Sequence, residues 1–470
     1  MPNYDLILKN SYLVDPATNV EGYVDIGICD GKIAAVEKEL FPAGKTQVVD
    51  IRSNIVVPGL IDTHVHLTGR WREYGHRMLA RAGVTTALDC GGPVDEIIND
   101  LPDWGAGINV AVLNGVVPEK TVSSSNPETQ ELTWYVRESL EAGALGIKIM
   151  GGHYPLTPDA TRESIRIANA QLAYVAFHAG TTTRGSNLEG MKQALELAEG
   201  LQMQLCHVNA YCRGITLGDP AVETLEAISQ LSAIKGKGIV TESHLGPFNG
   251  TSGKCKAGVP ESHVTRTCLR TGGFPETTDG LRQAIKSGYA LVNRIQGDEI
   301  DYATPDEGER YWDEQQTDVT VSFPVNKRDT AFLLAMTKDS DADFVIDALS
   351  TDGGGIPRNF LVSKGLLLVK FNALSLKEFV WKTSTVPARM LGLETKGHFT
   401  PGADADITVI DLTREEPILT IVSGEIVMQN GIVFGRGGTI LTTEMGASRL
   451  KQDGVPHRVV QLASAEMYRR

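Results

Sequence analysis

The distribution of apolar residues along the middle of the chain predicts a parallel barrel. Short, nearly continuous apolar blocks alternate there with longer helical segments, as strands and helices do in βα folds. Eight βα units are best accommodated by a TIM-type (β/α)8 barrel, and an open doubly wound sheet is the alternative. The blocks are residues 56–66, 83–90, 108–117, 144–150, 173–180, 202–209, 238–245 and 343–352.

The two ends of the chain have a different texture, in which short alternating segments are separated by turn dipeptides such as Asp30-Gly31 and Asn430-Gly431. We expect both ends to share one small β-sandwich domain. The long stretch before the eighth block is rich in Gly, Pro, Asn and Thr, which predicts loops that pass over the barrel mouth. The predicted bounds are 1–57 with 400–440 for the sandwich, 58–399 for the barrel, 246–343 for the insertion and 441–470 for a C-terminal tail.

Composition restricts the environment and the partners. The 470 residues include 41% hydrophobic and 22% charged residues without membrane-length apolar runs, and no secretory signal opens the chain. Six cysteines without a CxxC pair favour reduced thiols in a cytoplasm. The net charge of −14 argues against nucleic acid and anionic membranes as partners. We expect a small-molecule substrate and a homo-oligomer, either a dimer or a tetramer.

Titratable residues that suit a metal ion lie at the ends of the predicted strands. His64 and His66 are two positions apart in the first strand, so their side chains project from the same face. In a TIM barrel the carboxyl ends of the strands converge on the active site. Imidazole and carboxylate are the ligands of a hydrolytic Zn²⁺, Mn²⁺ or Fe²⁺ site, whereas a structural zinc would show thiolates. The further strand-end candidates are Lys148, His178, His207 and Asp352.

Several motifs around these residues resemble the amidohydrolase superfamily, of the hydantoinase, dihydroorotase and N-acyl-amino-acid deacylase kind. They are "PGLIDTHVH", "GIKIM", "FHAG", "CHVNA", "STDGGG" and the tail "MLGLETKGHFTPGADADITVIDL". The resemblance covers essentially the whole chain and implies two divalent metal ions, with Zn²⁺ favoured. It implies that His64, His66 and Asp352 bind the buried ion, that His178 and His207 bind the outer one, and that Lys148 bridges them as N6-carboxylysine. An uncarboxylated ammonium between two cations would be repelled, which agrees with that last role.

The implied activity is metal-dependent hydrolysis of a carbon-nitrogen bond other than a peptide bond, in a small cyclic amide, imide or ureide. A metal-bound hydroxide would attack, and Asp352 would carry the proton to the leaving nitrogen. Tyr154, six positions after Lys148, is the candidate oxyanion donor, with His153 as its rival. The alternatives are deacylation of N-acyl amino acids, amide hydrolysis of the isoaspartyl-dipeptidase kind, deamination, and a metal-free scaffold.

The subfamily and the substrate stay open at this stage. His178 and His207 are 29 positions apart, which is closer to D-aminoacylases than to hydantoinases, yet those deacylases use a bridging cysteine where Lys148 stands here. Cys90 ends the second strand and is either a mimic of that cysteine or a small buried thiol. The candidates for substrate contact are Arg184 and Arg213, as clamps for a carboxylate, and His153 and His244.

Overall fold

A computed structural model describes residues 4–469. Its strands and α-helices follow in chain order. The strands are β1 (Leu6–Asp15), β2 (Val20–Cys29), β3 (Lys32–Glu37), β4 (Gln47–Asp50), β5 (Ile55–Pro58), β6 (Leu60–His66), β7 (Val84–Asp89), β8 (Ala106–Val116), β9 (Gly146–Met150), β10 (Tyr174–His178), β11 (Met203–Leu205), β12 (Ile239–His244), β13 (Asn249–Ser252), β14 (Cys255–Lys256), β15 (Val259–Pro260), β16 (Leu291–Gln296), β17 (Glu299–Tyr302), β18 (Thr320–Phe323), β19 (Ala348–Ser350), β20 (Gly353–Gly354), β21 (Ile407–Asp411), β22 (Glu416–Val422), β23 (Glu425–Gln429), β24 (Ile432–Val433), β25 (Gly437–Thr442) and β26 (His457–Val459). The helices are α1 (Gly75–Arg81), α2 (Val94–Trp104), α3 (Thr129–Glu141), α4 (Pro158–Ala170), α5 (Leu188–Leu197), α6 (Pro220–Ile234), α7 (His263–Thr271), α8 (Thr278–Lys286), α9 (Pro305–Glu314), α10 (Arg328–Met336), α11 (Leu361–Lys370), α12 (Leu376–Val380), α13 (Val386–Met390) and α14 (Glu444–Gln452).

The middle of the chain forms the predicted barrel of parallel strands. Strands β6 to β12 pair in sequence order. One further segment closes the ring, because β19 pairs with β12 and β20, three residues later, pairs with β6. This segment is the eighth strand, so the prediction of a TIM-type (β/α)8 barrel is confirmed. All positions of β7 are buried, as a strand covered on both faces requires.

Local sequence signals begin several of the outer helices. Thr157 accepts a hydrogen bond from the Ala160 N–H at the start of α4, and Asp219 does the same for Ala221 at the start of α6. Proline occupies the first position of both helices, where its missing N–H costs nothing. These helices pack around the barrel and fix the loops that surround its mouth.

The two ends of the chain meet in one nine-stranded sheet. Its main path runs β24-β23-β22-β21-β5-β1-β2-β3, and β4 pairs with β1. The antiparallel pairing of β5 with β21 joins the N-terminal and C-terminal halves. Both halves contribute buried side chains, including Leu8, Ile26, Val409 and Ile421, to one apolar core. These strands lie within the predicted segments except Pro58, the last residue of β5.

Two segments are more regular than the sequence pattern suggested. The insertion forms a four-stranded sheet, β13-β18-β16-β17, with helices packed on a core around the fully buried Trp312. Its glycines and prolines therefore mark turns between short elements rather than long loops. The predicted tail is also part of the fold: β25 pairs parallel with β8, and α14 packs against α3.

No helix in residues 4–469 has the length and apolar character needed to cross a membrane.

Candidate metal centre

A cavity of about 550 Å³ opens where the barrel strands end. Its walls include the strand-end residues predicted as metal ligands, all six of them, together with loop residues from the barrel and from the insertion. A volume of this size suits a small molecule. The position agrees with the rule that TIM barrels carry their chemistry at the carboxyl ends of the strands.

His64, His66 and Asp352 converge on one point at the base of the cavity. Asp352 Oδ1 lies 3.0 Å from His66 Nε2 and 3.6 Å from His64 Nε2. Two ligands about 2.05 Å from a tetrahedral ion are about 3.3 Å apart, so these three atoms fit a common divalent cation. The donor set of two imidazoles and one carboxylate also suits such an ion.

His178 and His207 lie side by side next to this group. Their ring centroids are 4.2 Å apart, and the His207 ring is 5.0 Å from that of His64. His207 has a left-handed backbone conformation, with φ of +30°, and its buried Nδ1 has no hydrogen-bond partner among residues 4–469. An unpaired buried nitrogen is costly, and a metal ligand role would account for it. His178 Nε2 is 2.8 Å from the Ser186 hydroxyl.

Burial disfavours the charged form of three histidine side chains at the site. Burial is the main cause that lowers the pKa of His64, His178 and His207 well below the ordinary value. Since metal ions bind the neutral imidazole, the site does not have to release protons from these three rings before an ion can bind.

Lys148 lies at the centre of the barrel, close to the proposed metal ligands. It is 2% exposed, its Nζ is 3.5 Å from His64 Nε2, and it donates a hydrogen bond of 2.6 Å to Cys206 Sγ. Burial alone would lower the pKa of Lys148, but the nearby Cys206 and Cys90 outweigh it and raise that pKa. The amine is thus within reach of the ligand cluster, next to two thiols.

Glu242 is a buried carboxylate that sequence reasoning missed. His64 Nδ1–H donates to its Oε1 at 2.7 Å, and the His207 backbone N–H donates to the same oxygen at 2.6 Å. The Ser350 hydroxyl donates to Oε2. A carboxylate that accepts the Nδ1 proton directs the Nε2 lone pair towards the cavity, as carboxylates behind metal-binding histidines do. The available signal was its position in β12 two residues before His244, on the same strand face.

Arg358 is a second missed residue and contacts Asp352 directly. Its Nη2 lies 2.6 Å from Asp352 Oδ2, and its Nε donates to the Asp352 backbone carbonyl. Burial alone would raise the pKa of Asp352, but Arg358 and the histidines hold it well below its usual range. The carboxylate is therefore ionised, as a metal ligand must be.

The two residues proposed for the oxyanion lie at the cavity wall, in different environments. His153 is half-buried, with its ring centroid 5.4 Å from that of His178, and desolvation lowers its pKa to about 4. Tyr154 is 40% exposed and lies beneath the Lys120 ammonium. Tyr154 is therefore the more exposed of the two candidate oxyanion donors.

The structure does not bring the other three substrate-binding candidates to the cavity wall. Arg184 is exposed, because the loop after β10 closes into a turn in which the Thr181 N–H donates to the Arg184 carbonyl. Arg213 Nε instead donates to Asn326 Oδ1 at 2.9 Å. His244 is buried beside Asn209, whose Nδ2 lies 3.2 Å from His244 Nε2.

The insertion forms one side of the cavity. The sequence pattern predicted only that the insertion would pass over the barrel mouth. The contributing residues are Asn249, Thr251, Ser252, Glu261, Ser262 and His263. His263 Nε2 lies 3.1 Å from the Gly152 carbonyl and so joins α7 to the loop after β9. The cavity wall on this side is polar and offers hydrogen-bond donors and acceptors to a ligand.

A closed βα barrel with histidines, a carboxylate and a lysine at its strand ends defines the class of metal-dependent barrel hydrolases. The comparisons with known proteins agree with it. The model of the "Amidohydrolase family" matches residues 329–435. A dihydroorotase of Elusimicrobium minutum is 24% identical, and the alignment covers 87% of this chain and 88% of that protein. The chain therefore resembles amidohydrolases in part of its sequence and a dihydroorotase over most of it.

Solved structures with the same fold include two kinds of enzyme. An N-acyl-D-glutamate deacylase of Bordetella bronchiseptica, solved with zinc and a phosphonate inhibitor, has a TM-score of 0.67 at 16% identity. An L-hydantoinase of Arthrobacter aurescens has a TM-score of 0.56 at 18% identity. Each comparison covers 93% of this chain and 99% of the other. At this identity the likeness concerns the fold alone.

Proposed function

We propose that this protein is a metal-dependent hydrolase of a carbon-nitrogen bond in a small cyclic amide, imide or ureide. The observation that carries the proposal is the convergence of His64, His66 and Asp352 at the base of the cavity, where Asp352 Oδ1 lies 3.6 Å and 3.0 Å from the two imidazole nitrogens. The relationship to dihydroorotases over most of the chain favours a cyclic amide as the reacting group.

The proposal includes two divalent cations, with Zn²⁺ favoured and Mn²⁺ or Fe²⁺ as alternatives. We assign His64, His66 and Asp352 to the first ion and His178 with His207 to the second, because the ring centroids of His178 and His207 are 4.2 Å apart and that of His207 is 5.0 Å from His64. Lys148, as N6-carboxylysine, would bridge them, since its Nζ lies next to the first ligand group. When bound, such ions polarise a carbonyl and make water nucleophilic near neutral pH.

Three side chains at the cavity are proposed to transfer the proton and to orient the substrate. Asp352 Oδ1 faces the ligand cluster, so Asp352 is the proposed proton carrier from the attacking water to the leaving nitrogen. His153 and Tyr154 are the candidate donors to the oxygen of the substrate carbonyl. Of the two, His153 is the less exposed, and its ring centroid lies 5.4 Å from that of His178.

The substrate is small, because the cavity of about 550 Å³ is walled on one side by the insertion. Recognition of a substrate carboxylate does not fall to Arg184 or Arg213, which lie away from the cavity wall. Arg358 is the one arginine among the described lining residues, and it is already paired with Asp352. Hydrogen bonding by the insertion wall therefore supplies most of the proposed recognition.

Deacylation of an N-acyl amino acid is the second candidate. The specific observation in its favour is the separation of 29 positions between His178 and His207, which resembles that of D-aminoacylases. The cytoplasmic location and the homo-oligomer stay predictions.

A hydrolysis screen with the zinc-loaded protein tests the proposal. Hydantoins, dihydropyrimidines, dihydroorotate, N-acyl amino acids and isoaspartyl dipeptides are supplied in parallel, and Asp352→Asn serves as the inactive control. We expect turnover of a cyclic amide or ureide that disappears in the control. Turnover of N-acyl amino acids alone would establish the second candidate, and no turnover of any member with fully loaded protein would contradict both.

A further inference from the structure

Arg358 is a buried arginine whose guanidinium contacts three groups at once. It is 3% exposed and lies in the loop after the eighth barrel strand. Its Nη2 binds Asp352 Oδ2 at 2.6 Å, its Nε donates to the Asp352 carbonyl, and its Nη1 donates to the Phe248 carbonyl at 2.7 Å. Most of the planar donor fork is thus engaged within the protein.

Two of these contacts determine how Asp352 presents its carboxylate. Because Oδ2 is held by the guanidinium, Oδ1 is the oxygen that faces His64 and His66. Asp352 also has a left-handed backbone, with φ of +53°, a region that non-glycine residues rarely occupy. Arg358 Nε donates to the backbone carbonyl of Asp352, so the side chain that binds the carboxylate also stabilises this backbone conformation.

The third contact ties Asp352 to the insertion. Phe248 directly precedes Asn249, which lines the cavity, and the Phe248 ring packs on Tyr302 of β17 at a centroid distance of 4.9 Å. The guanidinium therefore joins the carboxylate of the eighth strand to the root of the segment that walls the cavity.

We propose that Arg358 is a positioning residue for Asp352. Arg358 binds Asp352 Oδ2, so that only Oδ1 is free to bind a metal ion or a proton. Through its bond to the Phe248 carbonyl it also fixes the position of Asp352 relative to the insertion. The inference rests on the proposed function, since it takes Asp352 as a metal ligand. It does not require any particular substrate.

The test compares Arg358→Gln and Arg358→Lys with wild type, each loaded with Co²⁺. The matched control is Arg213→Gln, which also removes an arginine that binds the insertion but does not contact Asp352. The readouts are the visible spectrum of bound Co²⁺, the Co²⁺ content, and kcat and KM for the best substrate of the screen. The spectrum reports coordination geometry independently of turnover.

Without the guanidinium, Asp352 Oδ2 is free to join the coordination of the ion. We expect Arg358→Gln to change the Co²⁺ spectrum towards the weaker absorption of a higher coordination number. We expect kcat to fall about 100-fold, the typical cost of a displacement of about 1 Å, while KM changes less than about threefold. Arg358→Lys should recover part of kcat, because it keeps the charge and loses the fork. The control should keep the wild-type spectrum.

Two results would overturn the assignment. One is a wild-type spectrum with kcat within about twofold in Arg358→Gln. The other is a raised KM with unchanged kcat and spectrum, which would make Arg358 a substrate contact instead. If Arg358→Gln does not fold, the spectrum of Arg358→Lys decides by the same criterion. Wild-type protein that takes up no Co²⁺ would refute the proposed function together with this inference, whereas an active wild type with an insensitive Arg358 refutes this inference alone.

Discussion

Replacing Glu242 by glutamine removes a negative charge from behind the proposed metal ligands while keeping the shape of the side chain. Both hydrogen bonds to Oε1, from His64 Nδ1 and from the His207 N–H, can be accepted by the amide oxygen. The Ser350 hydroxyl can turn to accept from the amide nitrogen. The variant therefore loses charge assistance on the His64 bond and little geometry.

The contacts of Glu242 indicate how much metal affinity the variant should lose. Hydrogen bonds to ionised groups are roughly twice as strong as neutral ones, and loss of a carboxylate behind a ligating histidine costs about 10- to 100-fold in metal affinity. We expect about 10-fold weaker metal binding for Glu242→Gln, equal to about 1.4 kcal/mol. Glu242→Ala also leaves His64 Nδ1 without its acceptor and should approach 100-fold.

The assay is competition for Zn²⁺ with a chromophoric chelator at pH 8. This pH is chosen because burial raises the pKa of Glu242 to about 7, so the carboxylate is ionised there. The control is Glu223→Gln, since Glu223 is also a fully buried carboxylate but binds the N–H groups of a loop, including Gly214 and Thr216. Equal affinities of wild type and Glu242→Gln, or an equal loss in the control, would refute the reasoning.

Three further predictions concern other positions. Lys148→Ala should lose metal and activity together, and a short carboxylic acid should restore part of both; elemental analysis showing full binuclear occupancy would end the bridging role. Gly152→Ala should lower the metal content from two towards one, because a Cβ there would lie 2.0 Å from His178 Nε2, and an unchanged content would count against the outer site. Burial lowers the pKa of Lys382 to about 7, against about 10.4 in an unfolded chain. The unfolded state then binds more protons between these values, so the gain in stability of Lys382→Met should be largest below pH 7 and shrink towards pH 10 in denaturant unfolding; a pH-independent difference would contradict it.

The strand-end histidines are predictable because the convergence of parallel strands needs only the strand boundaries. His64 and His66 lie on one strand face because side chains alternate with a period of two residues. His178 and His207 lie at the ends of short apolar blocks that are typical of buried strands. The ring contacts of 4.2 and 5.0 Å were therefore implicit in the pattern. The barrel itself follows from the same alternation.

Residues outside this pattern were not predictable by type. Glu242 and Arg358 are ordinary charged residues in sequence, and their roles depend on tertiary contacts: Glu242 binds His64, 178 positions away, and Arg358 binds both Asp352 and Phe248. Arg213 shows the same limit in reverse, since it follows a histidine strand but is bound by Asn326, 113 positions further along the chain. Loop side chains take directions that such distant partners decide.

The backbone at the site also escapes the pattern. His207 and Asp352 have left-handed backbone conformations, with φ of +30° and +53°, and their residue types alone do not predict this. Strain of this kind is held by surrounding contacts and is common at functional sites. Here the contacts come from Glu242 to the His207 N–H and from Arg358 to the Asp352 carbonyl.

Anomalous diffraction from crystals grown with Zn²⁺ tests the central claim most directly. We expect two zinc peaks at the base of the barrel cavity, one about 2.0 to 2.2 Å from ligand atoms of His64, His66 and Asp352 and the other beside His178 and His207. Density for a carboxylated Lys148 should lie between them. Peaks located only elsewhere, or a cavity without zinc in protein that is saturated with it, would contradict the account.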